Sequence, residues 1–238
     1  MNETVFFTLL GTLTGAVGTG LGGVISLCTK RKSSKFLSCI LEFSAGLMLA
    51  VVFSDLLPNA FEKTNALITI LGILIGILFM NITECITFNQ KNSYLHIGTV
   101  LAIGIAMHNL PEGLAIGVSL DTDFTLGLSI AVAILLHDIP EGLALSIPLK
   151  MGGMKPLKIL FIATATGLAT GLGGLIGVIL GKISDEIIGL SLGIASGAMI
   201  FIVICEIIPK SKQMYKGTLS AWFCLCGILV GILINSVL

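Results

Sequence analysis

The stretch LAIGIAMHNLPEGLAIGVSL, Leu101–Leu120, is apolar at both ends and polar in its middle, at His108, Asn109 and Glu112. Twenty residues of helix rise about 30 Å, the thickness of a bilayer's hydrocarbon. The stretch contains no Lys or Arg. Its reading is therefore a membrane span with an imidazole and a carboxylate half way along. A second copy of the core motif, HDIPEGLA at His137–Ala144, follows HNLPEGLA at His108–Ala115. On a helix, positions i and i+4 share a face. His108 and Glu112 therefore converge, and so do His137 and Glu141. Asn109 and Asp138 sit on the adjacent edge. Pro111 and Pro140 each remove one helical hydrogen bond. Gly113 and Gly142 permit close helix packing.

Outward from this pair, the whole chain has the same character. Of 238 residues 55% are hydrophobic and only 11% charged, against about 25% charged in a soluble domain. That excludes a soluble globular protein, a disordered chain and a nucleic-acid binder. Apolar stretches fall at Phe6–Leu27, Leu37–Pro58, Leu67–Ile86, Ile97–Leu120, Thr125–Leu149, Leu157–Leu180, Ile187–Ile208 and Leu219–Leu238. Each has the length of a helical span and is too long for a barrel strand. The fold class expected is an all-α polytopic membrane protein with eight transmembrane helices in one transmembrane domain, residues 1–238. The first stretch follows Asn2 and Glu3 rather than a basic segment, so it reads as a mature span and not a signal peptide.

Loop charge predicts orientation. Lys30, Arg31, Lys32, Lys35, Lys91, Lys150, Lys155, Lys158, Lys210, Lys212 and Lys216 fall on one side, and Lys63 and Lys182 on the other. The basic side is cytoplasmic by the positive-inside rule, which puts both termini outside. The acids Glu3, Glu62, Asp121, Asp123, Asp185 and Glu186 then face out, where they would concentrate cations. The six cysteines form no CxxC pair and read as structural.

The chain also repeats itself. TGLGG at Thr19–Gly23 recurs at Thr170–Gly174, an offset of 151. At that offset Gly46, Met48, Asp55 and Pro58 match Gly197, Met199, Glu206 and Pro209. GILIGIL at Gly72–Leu78 recurs as GILVGIL at Gly227–Leu233, an offset of 155. The expected architecture is 3+2+3. Residues 1–88 and 157–238 form inverted three-helix repeats around a central pair at 97–149. Inverted repeats mark transporters, whose substrate sites lie near the midplane.

The stretches hold the acids Glu42, Asp55, Glu84, Glu112, Asp138, Glu141 and Glu206 and, apart from Lys158 at the edge of the sixth, neither Lys nor Arg. An acid at the bilayer centre costs about 2.5–3.5 kcal/mol on insertion scales. With no base to pair, bound cations or protons must offset that cost. Glu42 and Glu84, near span ends, are expected to snorkel. Imidazole with carboxylate suits Zn, Fe, Co or Mn better than Mg or Ca. Met48 would add a soft donor if it does not simply pack in the core. Met48, Asp55 and Glu62 are spaced by seven, as if along one outward-running face. Asp55 is expected on the entrance side of the central site and Glu206 on the release side. An intramembrane protease would need HExxH, which is absent.

The paired HNLPEG and HDIPEG, in the fourth and fifth of eight spans, resemble the signature of the ZIP (Zrt-/Irt-like protein) family of divalent-metal transporters. The resemblance covers the whole chain. It implies a central metal site drawn from Met48, His108, Asn109, Glu112, His137, Asp138 and Glu141, with the two glutamates bridging. Where some bacterial relatives carry a sixth-span Glu, this chain has Thr170. The histidine-rich cytoplasmic loop of many relatives is reduced to His96, read as a surface residue. The function expected is Zn²⁺ transport into the cytoplasm through a cell membrane. The alternative is a broad carrier of Fe²⁺, Mn²⁺, Co²⁺ or Cd²⁺. The zinc is substrate, no organic cofactor or nucleic-acid partner is expected, the lipid bilayer is the surrounding partner, and a homodimer is compatible with this reading.

Overall fold

A computed structural model of the chain describes residues 3–29, 33–87, 93–122, 124–179 and 184–237. Lys30, Arg31, Lys32, Lys91, Asp123 and Lys182, used above for orientation, lie outside the described residues. Among those described, eight helices are long and apolar enough to cross a membrane, and none is a strand. They are α1 (Glu3–Cys28), α2 (Ser34–Lys63), α3 (Ala66–Thr87), α4 (Ser93–Thr122), α5 (Phe124–Met151), α6 (Pro156–Ile179), α7 (Asp185–Met214) and α8 (Leu219–Val237).

Two helices outrun their expected ends. The apolar stretches put the end of the second span at Pro58 and that of the seventh at Ile208. Instead, α2 passes through a π turn at Val52–Leu56 and continues to Lys63. Likewise α7 passes through a π turn at Ile202–Ile207 and continues to Met214. The wider turn lets the chain pass a residue with no N–H. Leu57 N–H reaches back to Val52 O, and Ile208 N–H to Val203 O. Pro58 leaves the Ser54 carbonyl without a helical donor, and Asn235 Nδ2 of α8 supplies one at 3.0 Å. As a result Lys210 and Lys212 are helical residues rather than loop residues.

The helices fall into two packed groups. α1, α4, α5 and α6 pack chiefly on one another, while α2 packs on α8 and α3 on α7. The groups meet mainly where α4 touches α7 and α2 touches α5. α4 is the most enclosed span and α8 the least. Leu67, Leu74 and Leu78 of α3 and Leu229 and Leu233 of α8 are exposed, as lipid-facing residues would be.

Glycines set the first group's spacing. A Cβ on Gly142 of α5 would collide with the Thr19 carbonyl of α1, and one on Gly113 of α4 with the Thr170 carbonyl of α6. Gly22 meets Ile139 in the same way, and Gly173 meets Leu110. These contacts pair residues at an offset of 151 in the outer helices and 29 in the central two. In the second group, Gly76 packs on Ile194 and Gly227 on Phe43, again an offset of 151. The sequence match at 155 is thus one helical turn out of step with the packing, because each segment carries glycines four residues apart.

Candidate metal centre

The two motifs face each other across the α4–α5 contact, and their polar groups pair crosswise. His108 Nε2 of α4 lies 2.9 Å from Glu141 Oε2 of α5, and His137 Nε2 of α5 lies 3.4 Å from Glu112 Oε2 of α4. The i, i+4 spacing placed each histidine on its own glutamate's face, but the close partner is on the other helix. His108 Nδ1 is 3.0 Å from the Gly104 carbonyl. A carbonyl only accepts, so Nδ1 carries the proton and Nε2 is aimed at the carboxylates. Metal-binding histidines are commonly oriented by this kind of backbone contact.

His108, Asn109 and Asp138 are fully enclosed, with Glu112, Glu141 and His137 nearly so. Asn109 Nδ2 donates to the Thr166 carbonyl of α6 at 3.3 Å. Asp138 lies against Gly18 of α1 and 3.9 Å from His137 Nε2. Asn109 Oδ1, Glu112 Oε1, both Asp138 carboxylate oxygens and Thr170 Oγ1 are buried without a hydrogen-bond partner. Buried polar atoms are rarely left so, because each costs about 1–3 kcal/mol. One donor atom each from Glu112, His137 and Asp138 lies within 4.8 Å of the others. Neither Lys nor Arg is buried among the described residues. The donor set therefore fits a divalent transition metal, supplying oxygen and imidazole nitrogen with negative charge to spare.

The other expected residues lie on α2 and α7. Met48 is buried in the core on α2, and its mate Met199 likewise on α7. Asp55 lies in the α2 π turn, half-buried, within electrostatic reach of Glu112 and His137. Its Oδ1 accepts from Asn59 Nδ2 at 2.6 Å. Glu62 is exposed on the last turns of α2. The spacing of seven does not hold Met48, Asp55 and Glu62 in one row, since the π turn lies between the first two and shifts the register. Glu206 is buried in the α7 π turn with Glu84 of α3 beside it.

Two expectations from the sequence need correction. His96 is buried rather than on the surface, because α4 starts at Ser93 and takes it into the helix's first turns. Glu42 does not snorkel without a base. It is buried with Lys212 Nζ 3.3 Å away, a base hidden from the sequence by the unexpected length of α7.

A bundle of membrane-length helices that encloses carboxylates and histidines at its centre has the donor set of a membrane protein that handles metal ions. The family described as ZIP zinc transporter matches residues 88–238, which include both motif helices. The chain is similar to the zinc transporter ZupT of Corynebacterium glutamicum, 32% identical over 86% of this chain and 89% of that one. It is 30% identical to ZupT of Chlorobium chlorochromatii over 100% of this chain and 98% of the relative. It is 32% identical to the zinc transporter ZIPB of Bordetella bronchiseptica over 88% and 74% respectively. The chain belongs to the ZIP family. It is a membrane-embedded transporter of divalent metal rather than an enzyme.

Proposed function

We propose that this chain carries Zn²⁺ from outside into the cytoplasm through the α4–α5 centre. The observation that carries the reading is the set of buried donors left without partners, with no buried base among the described residues. A cation supplies what they lack. His108, Glu112, His137 and Glu141 hold the metal, and Asn109, Asp138 and Met48 complete its surroundings. Asp55, with Glu62 further out, delivers it from the acidic side, and Glu206 receives it on the basic side. Structural zinc sites bind by about 10–16 kcal/mol, too tightly for cargo. The crossed His–Glu pairs moderate that affinity, since a metal must displace them to enter. The excess of basic loops on one side supports inward transport with both termini outside. The glycine contacts at a constant offset support two inverted three-helix repeats around the central pair.

The test is zinc flux into proteoliposomes containing a fluorescent reporter, comparing wild type with His108→Ala/Glu112→Ala. Flux in wild type and none in the variant is the expected result. Equal flux in both refutes the site. Faster Mn²⁺ or Fe²⁺ flux than Zn²⁺ flux in wild type establishes the broad carrier instead.

A further inference from the structure

One buried charged cluster takes no part in the centre described above. Glu42 lies about 12 Å inside the start of α2. Three donors converge on its Oε1: Ser211 Oγ at 3.0 Å, Lys212 Nζ at 3.3 Å and Ser220 Oγ at 3.4 Å. Lys212 also donates to Ser220 Oγ at 3.1 Å, and Ser38 Oγ lies 2.7 Å from Ser211 Oγ. Glu42 is 2% exposed, whereas the Lys212 side chain is 40% exposed, so the ammonium reaches inward from the helix end. The cluster joins α2, the last turns of α7 and the start of α8.

The packing partner of this region at the other end of the molecule is built without buried charge, its one ion pair, Lys63 with Asp185 at 3.1 Å, being exposed. At the offset of 151, Gly193 stands for Glu42, Gly189 for Ser38, Ala60 for Ser211 and Phe61 for Lys212. There the helices close backbone to backbone, with Gly189 against Ala60 and Thr64, and Gly193 against Thr69. Joining these helices therefore does not require a buried ion pair. What differs is how each joint is held. Ser211 and Lys212 follow the α7 π turn by one helical turn, and that π turn carries Glu206. A π turn followed by proline lacks part of the regular ladder, so the direction of the segment beyond it must be held from outside.

We propose that Glu42 is a positioning residue for metal release: by holding Ser211 and Lys212 it fixes the α7 π turn and so the place of Glu206. The inference rests on the reading of Glu206 given under Proposed function. Charge-assisted bonds converging on one oxygen set a position more firmly than neutral ones. The acid-side π turn, at Asp55, is steadied by Asn59 and Asn235, and the ion pair beyond it, Lys63 with Asp185, is exposed rather than buried.

The test measures Zn²⁺ flux in proteoliposomes of known orientation, with zinc added at either face, for wild type, Glu42→Gln and Ser211→Ala. For Glu42→Gln, half-saturating zinc at the basic face rises about tenfold or more, while that at the acidic face stays within about twofold. Ser211→Ala keeps the ion pair and so folds even if Glu42→Gln does not. It raises the basic-face value alone by about threefold. An equal rise at both faces, or none at either, overturns the inference while leaving zinc transport standing. No zinc flux in wild type overturns the proposed function and this inference with it.

Discussion

Asp138→Asn separates what the centre does for binding from what it does to stability. Both Asp138 carboxylate oxygens are enclosed and without hydrogen-bond partners. Its equivalent on α4 is already an asparagine, and that amide donates to the Thr166 carbonyl at 3.3 Å. Replacing the anion by a neutral amide of nearly the same shape removes an unpaired buried charge. An unsatisfied buried group costs about 1–3 kcal/mol, and more when charged. The metal-free variant should therefore be more stable than wild type. At roughly 2–4 °C per kcal/mol for a chain of this size, the melting temperature rises by about 2–12 °C. Zinc acts in the opposite sense. A ligand at a hundred times its Kd stabilises by about 2.7 kcal/mol, and each tenfold loss of affinity removes about 1.4 kcal/mol of that. The zinc-induced rise should thus shrink by about 3–6 °C for each tenfold lost. Circular dichroism melts of detergent-solubilised protein, with a chelator and with zinc, read both effects. A metal-free variant that melts below wild type, together with an undiminished zinc response, refutes the account of the orphaned carboxylate.

Two further outcomes follow from packing and donor chemistry. Gly142→Ala drives a methyl into the Thr19 carbonyl, and Gly113→Ala drives one into the Thr170 carbonyl, so each should destabilise by about 1–3 kcal/mol in the same melts. Leu229→Ile, an apolar exchange on the exposed face of α8, serves as the neutral control. Met48→Ala, by removing a thioether from the surroundings of the centre, should lower zinc flux relative to manganese flux in one reporter assay. An unchanged ratio would assign Met48 to core packing.

The spans were legible because bilayer thickness forces long apolar runs, and most observed ends fall within a few residues of those runs. The motif pair was legible because charges that deep need a reason to be there. The two π turns were not. The apolar runs close at Pro58 and Ile208, and what carries each helix past its proline is packing on the other, the far end of α2 on α7 and the far end of α7 on α2. The partner of Glu42 was lost through the same error, because Lys212 was counted with a loop. The crosswise pairing of His108 with Glu141 escaped for a different reason. Helical periodicity names the face a side chain occupies, but the partner across it depends on the relative height of two helices, which no single-helix pattern contains.

The glycine seams inside the group of α1, α4, α5 and α6 bear on motion. Where two backbones touch directly, neither can slide without one carbonyl riding over another, and no side chain is there to yield by changing rotamer. Those seams tie the four helices into one stiff unit, with the His–Glu centre embedded in it. The two groups meet where α4 touches α7 and α2 touches α5, and Asp55 and Glu206 both stand on the far side of that boundary. The route proposed above, from Asp55 through the centre to Glu206, would therefore pass from one packed group to the other and back.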